Sequence, residues 1–191
     1  MKWEDGLVYA QQVSKGEVNV CRNVRLACQR FLNHIENKEW EWYFDPDYPT
    51  HVLEFTAALK HTKGPQAGDN IVLEPFQVLL ICAIYGFRSK KNHEKRMVSD
   101  VIVFIPRKAG KSTITAVLGL YELLCGETGA EVFTLATNRD QASIVFDAAR
   151  GFIENMPHEL SSLFNLSKYK IKKQLQGFEV NKPPSNCNYK Y

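Results

Sequence analysis

The sequence predicts an α/β fold: a parallel sheet flanked by helices and preceded by a helical N-terminal region. Two observations carry it. Residues 98–157 run as apolar β-rich stretch, glycine-bearing turn, amphipathic helix, second apolar stretch, second helix, which is the βαβ order of a parallel sheet. Residues 1–70 instead repeat apolar side chains at the helical period. The chain thus divides into a helical N-terminal region over 1–70 and a sheet-bearing domain over 71–191.

In "VNVCRNVRLACQRFLNHI" (18–35), Val20, Val24, Ala27, Cys28, Phe31 and Ile35 share one helical face, with Arg22, Arg25, Gln29 and Arg30 between them. "EWEWYFDPDYP" (39–49) breaks the period, and a shorter helix follows around Val52, Phe55 and Leu59. "KGPQAGDN" (63–70) is the linker candidate, since Gly, Pro, Asp and Asn all interrupt regular structure. In "LEPFQVLLICAIYGF" (73–87), Pro75 suits a first helical turn, and Phe76, Leu79, Leu80, Ala83, Ile84 and Phe87 form a broad apolar stripe. "RSKKNHEKR" (88–96) reads as an exposed connection. "VSDVIVFI" (98–105) and "AEVFTLAT" (130–137) read as buried strands. The helix over 111–125 carries Ile114, Val117, Leu118, Tyr121 and Leu124 on one side, and Gly126 and Gly129 end it. "NRDQ" has the form of a capping box, with Asn138 as cap and Gln141 three residues on. A long helix then runs to Met156, and Pro157 closes it.

Between first strand and first helix lies Ile105-Pro106-Arg107-Lys108-Ala109-Gly110-Lys111-Ser112, followed by Thr113. Its end matches the phosphate-loop template GxxxxGK[ST]; Ile105 stands where the first glycine belongs. Gly110 lets backbone approach phosphate, the following helix start offers N–H groups, Lys111 reaches the β- and γ-phosphates, and the Ser112 hydroxyl suits Mg²⁺. The bland alternative is a basic turn with Lys108 and Lys111 solvated. Pro106 fixes φ and removes a donor, so the loop entry departs from the common form.

"IPRKAGKS" resembles the deviant phosphate loop of tailed-phage terminase large subunits, which drive DNA into procapsids. The resemblance extends over most of the chain, through "YAQQVSKGEVNVCRNVRLACQRF", "LEPFQ", "MVSDVIVFIPRK" and "GETGAEVFTLATNRDQASIVFDAAR". It implies a P-loop NTPase-like fold that takes ATP and Mg²⁺. It implies catalytic roles for Lys111 and Arg107, nucleotide contacts from Phe76, Gln77, Arg107, Lys108, Ala109, Gly110, Lys111, Ser112 and Thr113, and metal binding by Ser112. The implied partners of the full protein are double-stranded DNA, the portal and the terminase small subunit. Gln77 would read the adenine edge; otherwise it is a helix glutamine beside a core Phe. Arg107 is either an arginine-finger group or a surface cation. Arg139 either touches phosphate or a partner's nucleotide, or is solvated at a capped helix.

The basic tail "SKYKIKKQLQGFEVNKPPSNCNYKY" (167–191) either binds nucleic acid or forms a β-hairpin over 168–180 with an exposed lysine face. The acidic Walker B pair and the nuclease carboxylates of such terminases find no match here, so the chain reads as the front of the ATPase domain, with weak catalysis and possible self-association through an unpaired strand edge. A helicase-like or other P-loop enzyme, a non-enzymatic assembly module and a remnant of a prophage gene are the competing readings. The net charge of +3 permits nucleic-acid contact without arguing for it. No apolar stretch approaches a membrane span and residues 1–16 lack a signal-peptide core, so a cytoplasmic protein without membrane partners is expected. The five cysteines form no CxxC pair; Cys28, Cys82 and Cys125 are expected buried and reduced.

Overall fold

The structure is a computed structural model that describes residues 1–126, 129–168 and 170–173. Seven helices and four short strands occur among them: α1 (Trp3–Lys15), α2 (Arg22–Glu36), β1 (Trp42–Phe44), α3 (Asp47–Ala57), α4 (Pro75–Tyr85), β2 (Phe87–Ser89), α5 (Lys111–Cys125), α6 (Arg139–Glu154), α7 (His158–Ser161), β3 (Phe164–Leu166) and β4 (Ile171–Lys173). The chain forms two compact units, one of residues 1–54 and 72–103, the other of residues 55–71 and 104–191.

In the first unit α1 packs against α2 and α4, and β1 pairs antiparallel with β2. Gly6 makes the α1–α4 approach close: a Cβ there would lie 2.8 Å from the Leu79 backbone nitrogen. Cys28 and Phe31 of α2 and Val78, Ile81 and Cys82 of α4 are buried in its core. Rings of Phe31, Phe44 and Phe87 meet edge to face, with centroids 5.3–5.8 Å apart, a geometry worth about 0.5–1.5 kcal/mol per pair beyond area burial. The short strands explain why the aromatic break at 39–49 and the start of the charged run both escaped the periodic reading. Arg88 is buried within that run, its guanidinium 3.3 Å from the Tyr48 ring centroid and one N–H donating to the Glu94 carbonyl.

The α4 stripe needs correction. Gln77, Val78, Ile81, Cys82, Ile84 and Tyr85 are buried, whereas Phe76, Leu79, Leu80 and Ala83 are half-buried. This helix is apolar on nearly every side, so its pattern cannot choose the inward face.

In the second unit α5 and α6 pack on each other. Ile114, Val117, Leu120, Tyr121 and Leu124 bury the inner face of α5; Ala149, Phe152 and Ile153 do the same for α6. Phe55 and Tyr121 meet at 5.7 Å, beside buried Leu59 and Ile71. Residues 63–70 carry no helix or strand; hydrogen bonds from His61 N to the Asp69 carbonyl and from Gly68 N to the His61 carbonyl tie the loop together. The Asn138 cap forms as expected, its side chain accepting from Gln141 N at 2.9 Å, while the Gln141 side chain turns to the Thr137 hydroxyl.

The expected parallel sheet is absent among the described residues; both sheets are antiparallel pairs, β1–β2 and β3–β4. Residues 98–105 and 130–137 are not strands, and Ile102 (96 %), Phe104 (101 %) and Leu135 (90 %) are solvent-exposed. A parallel strand is stabilised by distant neighbours on both edges and both faces. Local apolar runs report strand preference, not whether such neighbours arrive. The hairpin expected at 168–180 starts earlier, pairing Phe164 with Lys173 and Leu166 with Ile171; the rest of that expectation falls outside the described residues, as does Cys187.

Candidate nucleotide-binding loop

The loop is built by two residues in left-handed backbone conformation. Lys108 has φ 65° and Gly110 has φ 75° and ψ 18°. Gly110 adopts this without the Cβ penalty, and at N-cap it turns the chain directly into α5. For Lys108 the same conformation costs roughly 1–2 kcal/mol, which nothing in the spacing of the motif signals. The Gly110 carbonyl accepts from Ile114 N at 3.0 Å, so the helix is hydrogen-bonded from its first turn. That leaves the amides of residues at its start without acceptors inside the helix.

Three cations crowd this end. Arg107, Lys108 and Lys111 are exposed, and no acidic residue occupies the first turn of α5. A helix start carries a partial positive charge and ordinarily attracts Asp or Glu, each favourable by about 0.3–1 kcal/mol. Here cations take those places, an arrangement that an anionic ligand would convert from repulsion to attraction. Ser112 and Thr113 are half-buried in the first turn.

The Lys111 ammonium folds back over the loop, donating to the Ile105 carbonyl at 2.6 Å and to the Pro106 carbonyl at 3.4 Å. Both acceptors are neutral carbonyls, whereas a phosphate would add a full opposite charge to the ammonium's hydrogen bonds. The donor set fits such an anion.

Of the other expected contacts, Phe76 and Gln77 belong to α4 in the first unit and the loop to the second. Phe76 is half-buried; Gln77 is buried, and its Oε1 accepts from Glu74 N at 2.9 Å, capping α4. Ala109 is half-buried within the loop, and Arg139 begins α6 exposed to solvent. Among the described residues no group of three His, Cys, Asp or Glu is placed to hold a metal ion.

A comparison with protein families matches residues 75–183 to the terminase large subunit, ATPase domain. The match takes in α4, the whole loop, α5 and α6 and covers more than half of the chain. The chain belongs to the terminase large-subunit ATPase family. Neither a curated protein nor a solved structure matches it. For this terminase chain the region of the match starts at Pro75, so α1–α3 lie outside it. No helix among the described residues is long and apolar enough to cross a membrane.

Proposed function

We propose that this terminase chain binds Mg²⁺-ATP at residues 105–113, for use in packaging double-stranded DNA into procapsids with a portal and a small subunit in the host cytoplasm. The observation that carries the reading is the loop itself: left-handed Gly110 opening α5, three exposed cations and no acid in the first turn, inside the family match.

In this reading Gly110 and Ala109 bring backbone close to the phosphates, and Lys111 exchanges the Ile105 and Pro106 carbonyls for phosphate oxygens. Ser112 supplies a hydroxyl to the metal, with Thr113 beside it in the first turn. Arg107 places its guanidinium against charge on the terminal phosphate, the role in which an arginine finger contributes ~10³–10⁵ in rate. Lys108 adds electrostatic attraction. Bound ATP supplies the energy of its phosphoanhydride bond, and Mg²⁺ offsets the charge on its oxygens.

The test is thermal unfolding with increasing Mg²⁺-ATP. Ligand at 100 times Kd stabilises by about 2.7 kcal/mol, and each kcal/mol raises Tm by about 2–4 °C in a chain of this size. The wild type is expected to gain ~5–11 °C and Lys111→Ala to gain almost nothing. Equal gains in both proteins would remove the loop as the nucleotide site.

A further inference from the structure

We propose that the β3–β4 hairpin is a nucleic-acid contact, with Lys170 and Lys172 forming a row that engages the phosphate backbone. The inference rests on charge and placement, independently of the nucleotide reading. Charge is unevenly divided: residues 55–71 and 104–191 hold 13 Lys and Arg against nine Asp and Glu, while residues 1–54 and 72–103 hold 11 against 12. Within the basic unit, no acidic residue lies between Glu159 and Glu179, an interval with four lysines. Such a one-sign field favours a polyanion.

The hairpin presents these lysines from a braced platform. Ser167 N donates to the Lys170 carbonyl at 2.9 Å and the Ser167 hydroxyl at 3.1 Å, closing the turn. Lys173 is turned away, its ammonium donating to the Leu124 carbonyl at 2.7 Å near the end of α5. Phe164 is buried, and Ile171 half-buried on the side of Lys173. Lys170 and Lys172, two positions apart, share the opposite, exposed side, Lys172 across from exposed Asn165. Alternate strand residues stand about 6.6–6.8 Å apart, a row suited to an extended phosphate backbone. An anionic membrane is the less fitting surface, since binding there also draws on exposed apolar side chains, and among the described residues of this hairpin Phe164 is buried and Leu166 and Ile171 are half-buried.

Lysine–phosphate contacts release counterions, so log K falls with log salt by about 0.9 per contact on duplex DNA. The test is fluorescence anisotropy of a labelled 30-bp duplex with the 191-residue chain, without nucleotide, from 50 to 200 mM KCl. Lys170→Ser/Lys172→Ser is expected to reduce the slope by about 1.8 and weaken binding at least tenfold at 50 mM. Lys90→Ser/Lys91→Ser, an equal charge loss at exposed positions of the other unit, should leave binding within twofold. Matching thermal midpoints would show both variants folded. Equal weakening by both pairs, or an unchanged hairpin variant, would overturn the proposal. So would a loss of binding to phosphatidylserine vesicles with duplex binding intact. A chain that binds Mg²⁺-ATP but not DNA defeats only this inference; one that binds DNA but not Mg²⁺-ATP defeats only the nucleotide reading.

Discussion

Cys82 shows how one buried group carries a pH dependence. Burial among apolar side chains disfavours the thiolate and pushes its pKa up from 9.0 to about 12, with Glu4 adding a smaller effect in the same direction. Its Sγ donates to the Trp3 carbonyl at 3.7 Å. A raised folded-state pKa means that the unfolded chain releases its proton first. The contribution is fully present below pH 9 and is lost as pH rises from 9 towards 12, up to about 4 kcal/mol in all. Urea midpoints measured at pH 8 and pH 10.5 should therefore fall more steeply for wild type than for Cys82→Ala. Parallel falls would mean that Cys82 is ordinary. Cys28, Cys82 and Cys125 are buried, as expected of thiols set in apolar helical runs. The left-handed Lys108 and the Lys111–carbonyl bonds were not legible in the sequence, because both depend on how the loop closes rather than on which residues it contains.

At the scale of elements, helices were legible wherever one face was apolar and the other was not. α5 buries Ile114, Val117, Tyr121 and Leu124 of its predicted stripe, with Leu118 half-buried and Leu120 buried instead, and Asn138 caps α6 where its side chain competes for backbone N–H. α4 was legible as a helix but not in its orientation, and β1 and β2, three residues each, are too short for period to register. The α1–α4 contact decides what Gly6 is for. Alanine there would favour the helix by about 1 kcal/mol. Its Cβ, however, would meet the Leu79 N and Cα at 2.8 and 2.9 Å, and backbone cannot rotate aside as a side chain can. Displacing α1 costs about 1–3 kcal/mol, so after the helix gain Gly6→Ala should lower stability by up to about 2 kcal/mol in urea melts followed by circular dichroism. A stabilised variant would mean that the helices separate more easily than their spacing indicates.

Over the whole molecule, two apolar β-prone runs remain open to solvent. Ile102 and Phe104 lie in one, Phe133 and Leu135 in the other. Such segments, free of Pro over residues 101–105 and 131–136, are candidates for pairing with another copy. Sedimentation should show association that grows with concentration, and Ile102→Lys/Leu135→Lys should abolish it. Because both side chains are exposed, unfolding midpoints should stay within about 0.5 kcal/mol of wild type. Association undiminished in the variant would place the contact elsewhere.

The sequence by itself determined the helices, the buried thiols, the charged phosphate-type turn ahead of α5 and the family. These follow from period, side-chain chemistry and spacing, which neighbouring residues set among themselves. Only the tertiary structure decided the strand pairings, the inward side of α4, the burial of Arg88 under Tyr48 and the lysine row of the hairpin. Each of those depends on which distant segment arrives to complete a contact, and a residue's own neighbours do not specify that.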